Sequence, residues 1–98
     1  MDVTYLHQGQ LFTWDLRKAA SNLQKHGVTF ERACEVFFDP FIRILDASSS
    51  VELRQAAVGL TEDWSLLVVV HIQREGEAIR IISARPATHQ ERREYEGE

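Results

Sequence analysis

The stretch Ser65 to Ala84, SLLVVVHIQREGEAIRIISA, decides the fold class because it holds two strand-like runs joined by a short link. Both runs are rich in Val, Ile and Leu, the residues that favour strands. The link Arg74-Glu75-Gly76-Glu77 is too short for a parallel crossover, which needs a dozen residues or more. The sequence therefore predicts an antiparallel hairpin with strands at Ser65–Gln73 and Ala78–Ala84.

Two more strand-like runs precede this hairpin, at Phe41–Leu45 and Glu52–Leu60. The second of them is joined to Ser65 only by Thr61-Glu62-Asp63, and so short a link again favours an antiparallel pair. Together the four runs predict a four-stranded antiparallel sheet.

Helical spacing predicts two helices before the sheet. The first spans about Asp15 to His26, between a carboxylate suited to an N-cap and a glycine, Gly27, suited to the C-terminal end. Its apolar stripe is Leu16, Ala19, Ala20 and Leu23. Thr29 can cap the second helix, which Asp39-Pro40 ends and whose buried stripe is Phe30, Ala33, Cys34 and Phe37.

A short third helix is predicted after the sheet. Thr88 and Glu91 form a capping box, from which a helix runs to about Glu96. The fold class is therefore α+β, with two N-terminal helices, a four-stranded antiparallel sheet and a short C-terminal helix. The 98 residues suffice for a single domain, 1–98.

Composition limits the compartment and the class of partner. With 15 acidic and 11 basic residues the net charge is −4, which excludes a protein coated in positive charge but leaves room for a basic patch. One cysteine, Cys34, forms no internal disulfide, which suits a reducing compartment. The longest aliphatic run, Leu66–Val70, is too short for a membrane helix, and the first ten residues lack a secretory signal. We expect a cytoplasmic protein.

One face of the first helix is polar. Lys18, Asn22 and Lys25 follow one another at helical spacing, and His26 lies beside them. Such a stripe can contact phosphate, but its spacing alone is more typical of a solvated lysine face, and Lys25 and His26 also suit the C-terminal end of a helix dipole.

Arginines alternate with aliphatic residues on the predicted strands. Arg54 lies on one strand, and Arg80 and Arg85 lie on another. Arginine binds phosphate oxygens through two parallel hydrogen bonds, so several on one sheet face would form a phosphate-binding surface. Strict alternation places Arg80 and Arg85 on opposite faces, and the pairing register, which decides whether the three arginines meet, cannot be read from the sequence.

Other chemistries find little support. The four histidines show no zinc-ligand spacing, and no glycine-rich loop precedes a helix, so no metal or nucleotide cofactor is predicted. Cys34 lies on an apolar stripe and is expected to be a buried structural thiol, and Trp14 is expected in the core.

With these features in place, the chain resembles the BrnT family of type II toxin–antitoxin toxins, through three ordered blocks between Leu11 and Glu96. The first block includes Phe12-Thr13-Trp14-Asp15, Lys25-His26-Gly27-Val28, Phe30-Glu31 and Asp39-Pro40. The second includes Arg54, Val58-Gly59 and Leu67-Val68-Val69-Val70-His71. The third includes Arg80-Ile81-Ile82-Ser83-Ala84-Arg85, Ala87-Thr88, Glu91-Arg92-Arg93 and Tyr95-Glu96. Two segments depart from the family pattern: the turn Leu60–Trp64 is acidic and carries a tryptophan, and Pro86–Gln90 has little basic charge.

The resemblance implies a RelE-like fold and a metal-independent ribonuclease that cleaves RNA and arrests growth. It also implies neutralisation by a cognate BrnA-like antitoxin of the ribbon-helix-helix type, which alone contacts operator DNA. An antitoxin segment lying across the basic face would block RNA and neutralise charge together. The alternative is an inactive toxin homologue that serves as an antitoxin-binding module in operon autorepression, for which the acidic net charge is suited to a basic partner.

Site roles follow as a hypothesis from the resemblance and the strand alternation. Arg54 and Arg85 would bind the scissile phosphate, while Lys25 and His26 supply further charge. His26 or His71 would act as general acid or base. The residues expected to position the RNA are Lys18, Asn22 and Arg80.

Overall fold

A six-stranded mixed sheet forms the centre of the computed structural model, which describes residues 1–73 and 76–98. The strand order is β1-β2-β6-β5-β4-β3, in which β2 and β6 are parallel and the other neighbours antiparallel. The strands are β1 Asp2–His7, β2 Gln10–Asp15, β3 Arg43–Asp46, β4 Gln55–Leu60, β5 Leu66–Ile72 and β6 Ile79–Pro86.

Within the described residues, three α-helices accompany the sheet: α1 Leu16–His26, α2 Phe30–Glu35 and α3 His89–Tyr95. A 3₁₀ turn over Val36–Phe38 extends α2. The predicted caps are confirmed, since Asp15, Thr29 and Thr88 each accept a backbone N–H in the first turn of their helix. Gly27 takes the left-handed conformation, with φ 69°, at the end of α1.

The predicted four-stranded antiparallel sheet behind two N-terminal helices is wrong. The chain begins with the hairpin β1–β2, and β2 then adds to the sheet in parallel with β6. The turn Gln8-Gly9 joins the two strands with positive φ at both residues, 49° and 82°, as a two-residue hairpin turn of the favoured hand requires. Asp15 then serves as both the last residue of β2 and the N-cap of α1, so no loop marks the change of period.

The predicted strands of the second half exist with shifted ends. The strand expected at Phe41–Leu45 begins only at Arg43, and the one expected at Glu52–Leu60 begins at Gln55, so Arg54 precedes it. Pro86, expected to lie beyond the last strand, is its final residue. The antiparallel hairpin of β5 and β6 is confirmed. In its predicted link, Arg74 and Glu75 lie outside the described residues.

Apolar side chains line both faces of the sheet. The larger core, on the face covered by α2, includes Phe12, Trp14, Phe30 and Cys34. Burial raises the pKa of the Cys34 thiol to about 12, as expected of a structural cysteine. The smaller core, which includes Val58 and Val68, lies on the opposite face, where Tyr95 of α3 packs against it.

The predicted apolar stripe of α1 is wrong for its leucines, because Leu16 and Leu23 remain 50% and 48% exposed, whereas Ala19 is partly buried against the larger core. The buried residue of α1 is instead Asn22, which hydrogen-bonds the backbone of Ala84 in β6. The helix therefore lies against an edge of β6 and does not cover a sheet face with its leucines.

Asp39 ties the 3₁₀ turn, β4 and α3 together. Its carboxylate accepts the N–H groups of Phe41 and Leu60, each at 2.8 Å, and the hydroxyl of Tyr95. Burial raises the pKa of Asp39, but these three donors outweigh it and leave the pKa below its ordinary value. Gly59 permits the close approach, because a Cβ there would lie 2.9 Å from Cγ1 of Val36.

Candidate functional site

A cationic cleft of about 480 Å³ lies where β2, β6 and β5 run side by side. Thr13, Arg80 and Ile72 are successive neighbours across these three strands and therefore share one sheet face. Lys18 enters the cleft from the first turn of α1, and Arg54 enters from the residue before β4. The remaining lining residues are Glu52, Glu77, Ala78 and Ile82.

A bulge in β6 determines which arginines share this face. Val70 pairs with Ser83 while His71 pairs with Ile81, so Ile82 is an extra residue. Beyond the bulge the alternation is inverted, and Arg80 and Arg85 oppose Ile72 and Val68 on the same face. The expectation from strict alternation, which put the two arginines on opposite faces, is wrong for this reason.

Both cleft arginines pair with acidic side chains. Arg54 donates to Oε2 of Glu52 at 2.8 and 3.1 Å, and Arg80 donates to both carboxylate oxygens of Asp2 at 3.1 Å. The hydrogen bonds from Arg80 hold the pKa of Asp2 below its ordinary value. Because all four side chains are partly solvent-exposed, such pairs contribute little net free energy.

Arg85 forms an ion pair with α3, outside the cleft. Its guanidinium donates to both oxygens of Glu91 in α3, at 2.7 and 2.9 Å, and this pair raises the pKa of Arg85. The same pair lowers the pKa of Glu91 to about 2. Arg85 therefore attaches α3 to β6 and does not line the cleft with Arg54.

A smaller depression of about 200 Å³ continues from the cleft along α1, sharing Lys18 and Ile82 with it. Lys25 and His26 line this depression and are exposed in the last turn of the helix. The cleft and its extension thus bring together six of the eight residues predicted to bind or cleave RNA: Lys18, Asn22, Lys25, His26, Arg54 and Arg80.

Two predicted site residues are buried, although one of them, Asn22, borders the extension of the cleft. Asn22 is 6% exposed, and its side-chain amide is occupied by the backbone of Val28 and Ala84. His71 is 1% exposed on the opposite sheet face, where its ring meets the edge of Phe37 at a centroid distance of 4.8 Å. Burial lowers the pKa of His71, so the imidazole is neutral near pH 7.

Sequence reasoning missed Thr13, Glu52 and Glu77 as lining residues of the cleft. Glu52 carried a signal, because it precedes Arg54 by two residues and such spacing in an extended chain points both side chains the same way. Thr13 carried none while the N-terminal hairpin was unrecognised.

Within residues 1–73 and 76–98, no three or more His, Cys, Asp or Glu side chains are grouped so that they could hold a metal ion. In the same part of the chain, no helix combines the length and the apolar composition needed to cross a membrane.

The fold and the cleft together define a small α+β protein with a surface depression in which Lys18, Arg54 and Arg80 meet. The sequence model of one family, described as "Ribonuclease toxin, BrnT, of type II toxin-antitoxin system", matches residues 14–91. Because this match covers most of the chain, the protein belongs to the BrnT family of toxins, as its sequence blocks predicted. We found no curated protein that matches the chain.

Proposed function

We propose that this BrnT family member is a metal-independent endoribonuclease that binds the scissile phosphate of RNA in the cationic cleft. The observation that carries the proposal is the convergence of Lys18, Arg54 and Arg80 on one cleft. Arginine and lysine at a concave site match the charge of a phosphodiester, and arginine also matches its geometry.

Cleavage of RNA without a metal requires three catalytic roles to be filled. A base removes the proton of the ribose 2′-hydroxyl, whose oxygen attacks phosphorus, cations stabilise the pentavalent phosphate, and an acid protonates the departing 5′-oxygen. In our proposal Arg54 and Arg80 hold the phosphate and Lys18 links the cleft to its extension. Exposed His26 serves as acid or base, beside the charge of Lys25, and a water molecule serves in the other role.

The ion pairs of the cleft fit this proposal. The carboxylates of Glu52 and Asp2 hold the guanidinium groups of Arg54 and Arg80 at the rim until a phosphate displaces them. His71 and Arg85, predicted from the sequence as catalytic, have no part in this mechanism, because His71 is buried on the opposite sheet face and Arg85 lies outside the cleft, where it attaches α3 through Glu91.

The family implies an antitoxin partner. We propose that the partner is a BrnA-like ribbon-helix-helix protein, that operator DNA is contacted only through it, and that the complex acts in the cytoplasm.

The test is cleavage of a labelled single-stranded RNA by the purified protein in the presence of EDTA. Arg54→Gln and Lys18→Gln should each lower kcat/KM by about 10- to 100-fold, since each removes charge that stabilises the transition state. The matched control is Arg17→Gln, which removes an exposed charge from the same helix but outside the cleft. Full activity of both cleft variants, with folding intact by circular dichroism, would refute the assignment.

A second candidate function is an antitoxin-binding module with weak or no catalysis. The observation that favours it is that Arg54, Arg80 and Arg85 are each paired with a carboxylate. Expression of the chain alone distinguishes the two candidates. Growth arrest supports the ribonuclease, whereas normal growth combined with tight antitoxin binding supports the module.

A further inference from the structure

A second groove, of about 410 Å³, shares no lining residue with the cationic cleft. Its lining is aromatic and acidic and, among the described residues, includes no lysine or arginine. We call it the aromatic groove and define it by Phe38, Phe41 and Trp64, with Glu35 and Glu62 at its rim. Phe41 is 75% exposed and Trp64 is 78% exposed. Exposed aromatic rings gathered around one depression are typical of a protein-docking site.

Trp64 is exposed at a cost to the backbone. Its φ is 66°, in the left-handed region that bulky L-residues rarely adopt. Hydrogen bonds from Trp64 N–H to Thr61 O at 3.1 Å and from Thr61 N–H to Ser65 O at 2.9 Å close the turn. Arg32 reinforces it by donating to Asp63 and Ser65. Backbone strain at an exposed tryptophan is the kind of feature that function explains better than stability does.

The floor of the aromatic groove is fixed before any partner arrives. Asp39 holds the N–H groups of Phe41 and Leu60 in place, and the His7 ring packs edge-on against Phe38 at a centroid distance of 5.2 Å. Binding of a partner side chain therefore costs little conformational entropy in the groove, because the groove is already ordered.

The acidic residues at the rim determine which charge a bound partner should carry. Across the described residues, neither Glu35 nor Glu62 forms an ion pair, although Glu62 N–H donates to Oε1 of Glu35 at 2.9 Å. Acidic groups beside exposed aromatic rings select a cationic partner, because Lys and Arg gain both a counter-ion and a cation–π contact.

We propose that the aromatic groove is a docking site for the antitoxin, which inserts a segment whose apolar side chains lie on Phe38, Phe41 and Trp64. Lysine or arginine residues of that segment face Glu35 and Glu62. The inference rests on the antitoxin partner of the proposed function but not on ribonuclease activity. It also differs from the expectation that the antitoxin lies across the basic face.

The experiment measures the affinity of the full chain for the purified antitoxin encoded beside its gene. Trp64→Gly removes the indole while suiting the left-handed turn, so it tests the groove without unfolding the protein. It should weaken binding at least 10-fold. Glu62→Lys, tested as a separate variant, should also weaken binding, and the loss of affinity should become larger as the salt concentration falls. The matched controls are Val51→Ser and Leu53→Ser, which remove apolar side chains that are 91% and 83% exposed outside the groove.

The outcomes separate this inference from the ribonuclease. If wild type cleaves no RNA but Trp64→Gly loses the antitoxin, the proposed enzyme fails and the docking site stands. If Trp64→Gly binds the antitoxin as tightly as wild type does, the inference is overturned. It is also overturned if sedimentation shows that wild type self-associates and Trp64→Gly does not, because the groove would then be a contact between two copies of this chain.

Discussion

Asn22 takes the place of a strand partner at the edge of β6. Its amide nitrogen donates to Ala84 O at 2.8 Å, and its Oδ1 accepts from Ala84 N–H at 3.0 Å. The amide nitrogen also donates to Val28 O at 3.0 Å, which fixes the chain after α1. One side chain thus satisfies three backbone groups that would otherwise be buried without partners.

Asn22→Ala should therefore destabilise the protein by about 2–4 kcal/mol, because it leaves several buried polar groups unpaired. The free energy of unfolding, from urea titration, measures this. Ser21→Ala is the matched control, since it truncates the exposed neighbour on the same helix and should change stability by less than about 0.5 kcal/mol. Equal stability of the two variants would show that Asn22 is dispensable.

Residue identity alone misled the sequence reasoning at this position. Lys18, Asn22 and Lys25 follow a helical stripe, and the stripe predicted one shared role. The structure divides it: the two lysines are exposed at the cleft and its extension, whereas Asn22, which also borders the extension, is buried with its amide bonded to β6. A polar side chain uses the same donor and acceptor groups whether it binds the protein backbone or RNA. Only the residues that surround it in the folded protein therefore show which of the two roles it has.

At the scale of elements, the carboxylate of Glu91 both caps the start of α3 and binds the helix to β6. Glu91 accepts the Thr88 N–H at 2.8 Å in the capping box and binds Arg85 of β6 through both oxygens. Both interactions favour the ionised form, and the Arg85 contact is the larger reason that the pKa of Glu91 falls to about 2. The helix start and one of its attachments to the sheet thus depend on the same side chain, while Tyr95 attaches the end of the helix through Asp39.

Glu91→Gln should destabilise the protein by about 1–2 kcal/mol at pH 7 and increase amide exchange across His89–Tyr95. A lowered folded pKa means that the stabilisation is complete above the unfolded value of about 4.3 and disappears as the pH falls towards 2. The difference between wild type and variant should therefore shrink from pH 5 to pH 2. Glu94→Gln, on the exposed side of the same helix, is the control and should show no such pH dependence.

The hairpin β1–β2 was the element that sequence reasoning missed. Its signals were present, with Gly9 between two runs that place Val3, Tyr5, Phe12 and Trp14 on the core side. They were weak because the turn reads Gln-Gly, outside the dipeptides most typical of such turns, and because β2 passes directly into α1.

On the whole molecule, cationic side chains gather in the cleft, together with Glu52 and Glu77, whereas no Lys, Arg or His of the described part of the chain lines the aromatic groove. Lys18, Arg54 and Arg80 line the cleft, while Glu35 and Glu62 border the aromatic groove. A net charge of −4 is therefore compatible with a local site for RNA and a separate site for a cationic partner.

RNA binding should depend on salt through the few phosphates that the cleft neutralises. For three contacted phosphates, log Kd plotted against log salt concentration should have a slope of about 2, and Arg54→Gln should lower that slope by about 0.7. Fluorescence anisotropy with a short labelled RNA, using a variant too slow to cleave it, measures both. An unchanged slope in Arg54→Gln would place the phosphates elsewhere, and Arg17→Gln again provides the control.

The sequence by itself determined the helix caps, the β5–β6 hairpin, the buried cysteine and the family, because these follow from local hydrogen bonding, hydrophobic period and ordered motifs. Only the tertiary structure decided the sheet order, the face of each arginine and the burial of Asn22 and His71. The physical reason is that one extra residue in β6 inverts every later side chain, and a parallel pairing joins segments that are far apart in the chain.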